Sequence, residues 1–195
     1  MITTVFFDWG GVLASGGHSF WKTVQDRMGV TINESDIEDF KLLRVGLNTG
    51  KLSEEEFSKG LEKITGVKAP DAIWNMRDVV NILPEMKQFA DELKARGLQI
   101  GIISNMSKVM VSNIKGSGGY DPFSVVINSC EVGFVKPGNE IYDIALERVN
   151  EKPENCIFID DLEANLVYPD SLGMKTVLGV NSKQIIKDVS KLLGL

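Results

Sequence analysis

Reactive and charged side chains follow several apolar, β-branched runs of this sequence, at the points where strands would end. In chain order these residues are Asp8, Ser104, Asn105, Asp160 and Asp161. Because ligands bind at the carboxyl ends of the strands in an open parallel sheet, such residues would meet at one edge. Two carboxylates that converge there repel each other unless a cation lies between them. The pattern therefore predicts a cation site that is built from strand ends.

The residue types at these positions indicate which cation and which substrate the site would hold. Carboxylates without a histidine or cysteine companion favour Mg²⁺ over zinc. A lysine in a loop, Lys136, and the hydroxyl of Ser104 suit a phosphoryl group, because its charge must be neutralised and its oxygens need donors. Taken singly, Asp160 and Ser104 could instead cap helices, and Asp8 could close a turn. Their coincidence in the expected order favours the site.

The elements that would position these residues are predicted from hydrophobic patterns. Apolar and β-branched runs predict strands over residues 2–7, 98–103, 124–127, 156–159 and 175–178. From Pro84 onward, helical segments alternate with these strands, at 84–96, 107–115, 139–149 and 183–193, with a short one after 161. Such alternation predicts right-handed βαβ units and a Rossmann-like α/β fold, a parallel sheet with helices on both faces. Pro169 predicts that the short helix ends early.

The residues between the first and second predicted strands have a helical pattern throughout. Apolar residues at helical spacing predict helices near 20–28, 37–47 and 71–79, and Ser53 with Glu56 forms a capping-box pattern that starts another. We therefore predict an α/β core domain of residues 1–14 and 81–195, with a small all-helical cap domain of residues 15–80 inserted after the first strand. A cap that closes over the strand ends would set substrate specificity.

Composition and charge argue against several classes of protein. The 195 residues, 43% of them hydrophobic, suit one domain or one domain with a large insertion. The net charge is −6 without a basic block, so nucleic acid is not an expected partner. Cys130 and Cys156 lie in or beside apolar runs and form no Cys-x-x-Cys pair, which predicts buried thiols in a reducing compartment. With no leader or long apolar run, we expect a soluble cytoplasmic protein without a membrane partner, as a monomer or homodimer.

Four short motifs, in this order and at this spacing, resemble those of the haloacid dehalogenase (HAD) superfamily. They are, in chain order, Phe7–Leu13, Ile103–Asn105, Val135–Pro137 and Phe158–Asp161. In the cap region, Gly50–Phe57 is similar to a segment of the branch that contains the amino-terminal phosphatase domain of soluble epoxide hydrolase. The resemblance covers nearly the whole chain. It implies a HAD core with a helical cap, and a hydrolase that depends on Mg²⁺.

The resemblance also implies a role for each motif residue. Asp8 would be the nucleophile that forms an aspartyl-phosphate with a small phosphorylated substrate. The implied metal-site residues are Asp8, Gly10 through its backbone carbonyl, Asp160 and Asp161, the last of which would bind a metal-bound water or orient Lys136. The implied phosphate-binding and substrate-binding residues are Ser104, Asn105, Lys136 and Gly11. Lys136 would in addition keep Asp8 ionised.

Gly10 departs from the pattern of most phosphatases of this family. They carry a second Asp two residues after the nucleophile, which protonates the leaving alcohol and later activates water. A general acid/base is typically worth ~10²–10⁴-fold in rate. One interpretation is therefore a slow phosphatase, or one that takes substrates with good leaving groups, or one in which His18 supplies the proton.

Three other interpretations stay open at the level of sequence. Phosphonoacetaldehyde hydrolases have a first motif similar to the Asp-Trp-x-Gly segment of this chain, and they also lack the second Asp. They need a cap lysine that forms a Schiff base with the substrate, and the candidates here are Lys22, Lys41, Lys51 and Lys59. 2-Haloacid dehalogenases use a lone Asp and need no metal, whereas the acidic pair here suits one. A binding or regulatory protein could keep the fold without turnover, although the intact Asp8 and Lys136 argue against complete loss.

Overall fold

A five-stranded parallel sheet forms the centre of this computed structural model, which describes residues 1–15, 19–74 and 82–195. The strands are β1 Thr4–Phe7, β2 Gln99–Ser104, β3 Val125–Asn128, β4 Cys156–Asp160 and β5 Lys175–Leu178. Their order across the sheet is β3-β2-β1-β4-β5, and all neighbours are parallel. The sheet therefore grows from β1 in both directions. The reversal at β1 opens a crevice at the carboxyl edge of the sheet, where α/β proteins bind their ligands.

Helices that alternate with the strands confirm the predicted α/β class. They are α4 Pro84–Ala95, α5 Lys108–Gly116, α6 Ser129–Val132, α7 Glu140–Val149, α8 Glu163–Ser171 and α9 Ser182–Leu193. The sequence did not predict α6, because a helix of a single turn is too short to show a periodic pattern. In the part of the chain that the structure describes, no helix has both the length and the apolar character that crossing a bilayer requires.

Between β1 and α4 the described residues form a helical segment, as the sequence predicts. It contains α1 Ser19–Met28, α2 Ile37–Asn48 and α3 Glu54–Thr65. α3 begins with the predicted capping box, in which the Ser53 hydroxyl accepts the N–H of Glu56 (3.2 Å) and the Ser53 N–H donates to the Glu56 carboxylate (2.8 Å). The helix predicted over 71–79 is described only as a 3₁₀ turn, Asp71–Trp74, and the rest of that prediction lies outside the described residues.

Pro169 does not end α8, so the sequence-based prediction of an early end is wrong. The helix continues through Pro169 to Ser171. A proline lacks the N–H that would donate to the carbonyl four residues earlier, here that of Asn165. The hydroxyl of Tyr142 in α7 donates to this carbonyl instead (2.7 Å). The helix tolerates the proline because the carbonyl that lost its helical donor is satisfied by a neighbouring helix.

Two apolar layers pack on the faces of the sheet. Along β1, Val5 and Phe7 belong to one layer and Phe6 to the other, as the alternation of side chains along a strand requires. The layer of Phe6 includes Tyr142 of α7 and Phe158 of β4, whose rings pack edge to face with centroids 5.6 Å apart. All five side chains are fully buried. β1 is thus held from both sides, and the residue that follows it has a fixed position.

The end of α2, the start of α3 and the loop between them contact the elements at the carboxyl edge of the sheet. The carbonyl of Asn48 accepts the hydroxyl of Ser129, the first residue of α6 (2.6 Å), and the Glu54 carboxylate accepts the N–H of Val109 in α5 (3.2 Å). Gly50 approaches α6 so closely that an added Cβ would lie 2.6 Å from a carbonyl oxygen of that helix. The helical segment therefore rests beside the strand ends that carry the predicted site.

The buried glycine of β2 provides a test of how tightly the sheet is packed. A Cβ on Gly101 would lie 2.8 Å from Cδ1 of Phe6 and 3.1 Å from the carbonyl oxygen of Val125. We expect Gly101→Ala to lower the free energy of unfolding by about 1–3 kcal/mol, because the fully buried Phe6 has no space into which to move. Urea unfolding followed by circular dichroism measures this change.

Gly116→Ala is the matched control for this measurement. Gly116 is exposed at the end of α5, and an added Cβ there would meet nothing within 4 Å. Alanine is the better helix former, so this variant should be neutral or slightly stabilising. Equal unfolding midpoints for the two variants would contradict the close packing of β2 against β1.

Candidate functional site

The ammonium group of Lys136 lies between two carboxylates at the carboxyl edge of the sheet. Its Nζ is 2.8 Å from Oδ1 of Asp8 and 2.6 Å from Oδ2 of Asp160. The Lys136 side chain is only 1% exposed, and Nζ also lies 5.3 Å from the centre of the Phe158 ring. Three residues that the sequence predicted to share a site are therefore in direct contact. Because water is excluded, their charges interact with little screening.

The pairing of β1 with its two neighbours brings the polar strand ends together. Asp8 follows β1, and its N–H donates to the carbonyl of Ile159 in β4 (2.8 Å), which places its carboxylate near that of Asp160 at the end of the same strand. On the other side, Ser104 ends β2, and its hydroxyl donates to Oδ1 of Asp8 (2.7 Å). The order of the strands therefore brings Asp8, Ser104 and Asp160 together, and Lys136 joins them from the loop between α6 and α7.

Asp160 is fixed by donors that the sequence did not suggest. Its Oδ1 accepts the N–H of Leu162 and the side-chain amide of Asn165, both at 2.9 Å, while Oδ2 accepts Lys136. The main-chain carbonyl of Asn165 accepts the hydroxyl of Tyr142. Sequence reasoning gave neither Asn165 nor Tyr142 a role, because they lie on different helices and only the fold connects them to Asp160. Together these contacts determine which oxygen of Asp160 faces Lys136.

Gly11 makes room for the carboxylate of Asp161. It has a positive φ of 78°, and an added Cβ would overlap the Asp161 side chain, so only glycine fits. The N–H of Gly11, which is the donor it could offer to a phosphate, donates instead to the carbonyl of Ala14 (2.8 Å). The structure thus places Gly11 in close packing beside Asp161, and the phosphate contact that the resemblance implies for Gly11 stays a prediction.

Three carboxylates form a cluster that fits a hard divalent cation. Oxygens of Asp8, Asp160 and Asp161 lie within 4.8 Å of one another. When all three are ionised, three negative charges and the one positive charge of Lys136 leave a net charge of −2. An all-oxygen donor set with this charge suits Mg²⁺. Gly10, whose carbonyl the resemblance adds to the set, lies in the turn that follows Asp8.

The pKa of Asp8 reflects this crowding of charges. Burial raises the pKa of the Asp8 carboxyl to about 6, and Asp160 adds to the rise, although the charge of Lys136 and the hydrogen bond from Ser104 oppose it. Burial alone would lower the pKa of Lys136, but the two carboxylates raise it above its usual value. Perturbed groups of this kind, held together in a crevice, are typical of functional sites.

Asn105 contacts the main chain of Lys136. Its Nδ2 donates to the Lys136 carbonyl (2.9 Å), and its Oδ1 accepts the Lys136 N–H (2.8 Å). The sequence predicted that Asn105 would line the site and reach the substrate. In the structure, both polar atoms of its side-chain amide are engaged by the neighbouring loop, so its observed contacts are with the protein.

Comparison with known protein families identifies the family of this chain. A model of the haloacid dehalogenase-like hydrolases matches residues 2–166. The chain belongs to this family. A HAD family enzyme from Bacteroides thetaiotaomicron, solved in complex with magnesium and inorganic phosphate, has the same fold, with a TM-score of 0.72 and 22% identity over 91% of this chain and 93% of that one. The match confirms the predicted HAD fold.

Two relatives of this chain are named hydrolases. A ribulose-1,5-bisphosphate 5-phosphatase from Halopiger xanaduensis is 27% identical over 132 residues, which cover 63% of this chain and 55% of that protein. Bifunctional epoxide hydrolase 2 from Mus musculus is 35% identical over 72 residues, which cover 37% of this chain and 13% of that protein. The chain thus spans about half or less of the length of these relatives. The second match confirms the predicted resemblance to the epoxide hydrolase branch.

Two of the mechanisms that the sequence leaves open depend on residues outside this cluster. Three of the four lysines proposed for a Schiff base, Lys22, Lys41 and Lys59, form surface ion pairs with side chains that are more than half exposed, and Lys51 is exposed as well. A Schiff-base lysine needs a desolvated setting that lowers its pKa, and these positions do not provide one. His18, the candidate acid, lies outside the described residues.

The raised pKa of Asp8 predicts a pH-dependent cost to stability. Its pKa is about 6 in the folded protein and 3.8 in a solvated chain, so the folded state binds more protons between these values. Stability contributed by Asp8 is therefore lost as pH rises through this window. In EDTA, we expect Asp8→Asn to raise the free energy of unfolding above pH 6 by on the order of 1–3 kcal/mol, and the gain to shrink toward pH 4. Urea titrations from pH 4 to 8 measure it.

Asp26→Asn is the control for this titration, because Asp26 is an exposed carboxylate in a surface pair with Lys22. Its replacement should change stability by a small amount, since surface ion pairs contribute about 0–1 kcal/mol. If the difference in the free energy of unfolding between wild type and Asp8→Asn does not vary with pH, the raised pKa of Asp8 is contradicted.

Proposed function

We propose that this HAD-family hydrolase is a Mg²⁺-dependent phosphatase that acts on a small phosphorylated molecule through an aspartyl-phosphate on Asp8. One observation carries the proposal, namely the buried contact of Lys136 with both Asp8 and Asp160. It joins a nucleophile, a fixed positive charge and an acidic cluster in one crevice. The relative named as a phosphatase, and the structural neighbour solved with magnesium and phosphate, support the same reaction class.

The first step is attack of an Asp8 carboxylate oxygen on the phosphorus atom. The bond between phosphorus and the leaving oxygen breaks, and that oxygen keeps the electron pair. Water then attacks the phosphorus of the aspartyl-phosphate, which releases inorganic phosphate and restores the carboxylate. Ser104 and Lys136 lie within hydrogen-bond distance of Asp8 and would donate to the phosphoryl oxygens, because these two donors already converge on the attacking group.

The acidic cluster would hold the metal ion. Asp8, Asp161, Asp160 and the carbonyl of Gly10 are the proposed ligands, and bound Mg²⁺ would neutralise charge on the phosphoryl group. The contacts of Asp160 and Asp161 support a different role for each carboxylate. Asp160 has both oxygens engaged, one by Lys136, and would mainly orient that lysine. Asp161, packed over Gly11, would mainly face the ion.

The helical segment would act as the cap of the site. The proposed cap spans residues 15–80, as the sequence predicts, and the core comprises 1–14 and 81–195. The loop between α2 and α3 supports this division, because Asn48 and Glu54 contact α6 and α5 at the same edge of the sheet as Asp8. A cap in this position would cover the substrate and exclude water from the reacting groups.

The central test of the proposal is whether turnover is lost when the nucleophile, Asp8, is replaced. We expect the purified protein to hydrolyse p-nitrophenyl phosphate in the presence of Mg²⁺. Asp8→Asn should reduce kcat to background, because an amide cannot form the phosphoryl intermediate. EDTA should also abolish turnover, and Asp26→Asn, a change at an exposed surface carboxylate, should leave it intact. Release of the nitrophenolate ion, followed by its absorbance, measures each rate.

Four outcomes would contradict the phosphatase proposal. Full activity in EDTA would rule out a role for the metal ion. Full activity of Asp8→Asn would rule out Asp8 as the nucleophile. Failure of the wild-type protein with a broad panel of phosphate esters would favour a binding protein that has lost turnover. Chloride release from a 2-haloacid in EDTA would instead identify a dehalogenase.

Gly10 predicts which leaving groups the enzyme prefers. Without a carboxyl at this position the leaving oxygen receives no proton from it, so aryl phosphates should react much faster than alkyl phosphates. We expect Gly10→Asp to raise kcat/KM for an alkyl phosphate by at least about tenfold and to change that for p-nitrophenyl phosphate little. Gly10, unlike Gly11, does not have a positive φ, so its backbone conformation is open to other residues.

Gly10→Asn separates the acid from the added bulk. It has nearly the shape of Asp but cannot donate a proton as a carboxylic acid, so it should show no gain with alkyl phosphates. Malachite green detection of released phosphate measures both variants with the same alkyl substrate. Equal rates for Gly10→Asp and Gly10→Asn, or equal wild-type rates with aryl and alkyl phosphates, would show that another group supplies the proton.

A further inference from the structure

The main chain of Lys136 lies in a loop that has no regular secondary structure. The residue follows α6 and precedes α7, and it is 4% exposed. The main chain of a buried residue in such a loop needs partners for both its N–H and its carbonyl. Asn105 supplies both, with bonds of 2.8 and 2.9 Å from a single side-chain amide.

We propose that Asn105 is a positioning residue that holds the main chain of Lys136, so that Nζ reaches the space between Asp8 and Asp160. This inference rests on the proposed function only where it concerns turnover. Lys136 is then fixed at two points, its main chain by Asn105 and its ammonium group by the two carboxylates. The two points are independent, because they involve different atoms of the lysine and different strand ends.

The location of Asn105 explains why an amide is needed there. Asn105 follows Ser104, the residue whose hydroxyl donates to Asp8. The end of β2 therefore fixes the nucleophile through one residue and the lysine loop through the next. The side-chain amide places N–H donors and an acceptor oxygen on adjacent atoms, so it can pair with the N–H and the carbonyl of one residue as a second strand would. An ionised carboxylate cannot make both bonds, because it only accepts, and a hydroxyl would have to make both through a single oxygen.

Loss of the amide should loosen Lys136 without removing any group from the reaction. A displacement of about 1 Å in a catalytic group can cost about 10²-fold in rate. We expect Asn105→Ala to lower kcat for p-nitrophenyl phosphate by about 10–100-fold and to change KM by less than about threefold. A substrate contact by Asn105, which the sequence predicted, would instead appear mainly as a higher KM.

Chemical labelling of Lys136 tests the inference without turnover. Wild-type protein and variants in EDTA are treated with a small amine-acylating reagent, and acylation is followed by mass spectrometry relative to the exposed Lys175. Lys136 should be strongly protected in the wild type, because its side chain is 1% exposed and paired twice. In Asn105→Ala we expect its acylation to be at least about tenfold faster, because the loop opens more often.

Asn128→Ala is the matched control. Asn128 ends β3 directly opposite Ser104 at the same edge of the sheet, and it is fully buried. Its amide also makes two hydrogen bonds, with Tyr120 and Glu131, but none of its recorded bonds involves Lys136. This variant should lose stability as Asn105→Ala does, while the protection of Lys136 and kcat both stay near the wild-type values.

The outcomes separate this inference from the proposed function. If Asn105→Ala and Asn128→Ala show equal Lys136 labelling and equal kcat, the positioning role is overturned. If labelling rises only in Asn105→Ala but no form hydrolyses any phosphate ester, the positioning role stands and the phosphatase proposal falls. Should Asn105→Ala fail to fold, the isosteric Asn105→Asp keeps the acceptor for the Lys136 N–H, loses the donor to its carbonyl, and should show the same direction of change.

Discussion

The buried contact of one ammonium group with two carboxylates is the interaction on which the rest of this structure depends. Taking Lys136, Asp8 and Asp160 out of water is costly, and the cost is offset only if each charge keeps close partners. The fold meets this requirement by using strand ends, which have little freedom to move. Asp8 follows β1 and Asp160 ends the neighbouring β4, and the layers on both faces of the sheet fix those strands.

The sequence was sufficient for the fold and for the centre of the site, because both follow from local patterns. Strand-like runs that end in polar residues, separated by helical segments, predict a parallel sheet and a single reactive edge. The contact of Asp8 with Lys136 and Ser104 agrees with that prediction. The family match later confirmed the HAD class, which the order of the four motifs had indicated.

The remaining contacts could not be predicted, because they depend on how separate elements pack. The bonds from Asn105 to the Lys136 main chain join a strand end to a loop, and no spacing in the sequence indicates them. Gly11 illustrates the same limit. A glycine after an acid indicates a tight turn, but only the structure shows that its missing side chain leaves space for Asp161. Residue type predicts which chemistry a side chain can perform, and packing determines which group the side chain contacts.

Pro169 and Tyr142 behave as one energetic unit, although they belong to different helices. The proline leaves a carbonyl of Asn165 without its helical donor, and the tyrosine hydroxyl, fully buried, has that carbonyl as its acceptor. Either group left alone would be an unsatisfied buried polar group, at a cost of about 1–3 kcal/mol. Replacing only Tyr142 therefore exposes a cost that replacing both residues would avoid, so their effects on stability are not additive. An imperfection in one helix has thereby become the attachment point of another, and the side chain of the same Asn165 contacts Asp160, the acid that pairs with Lys136.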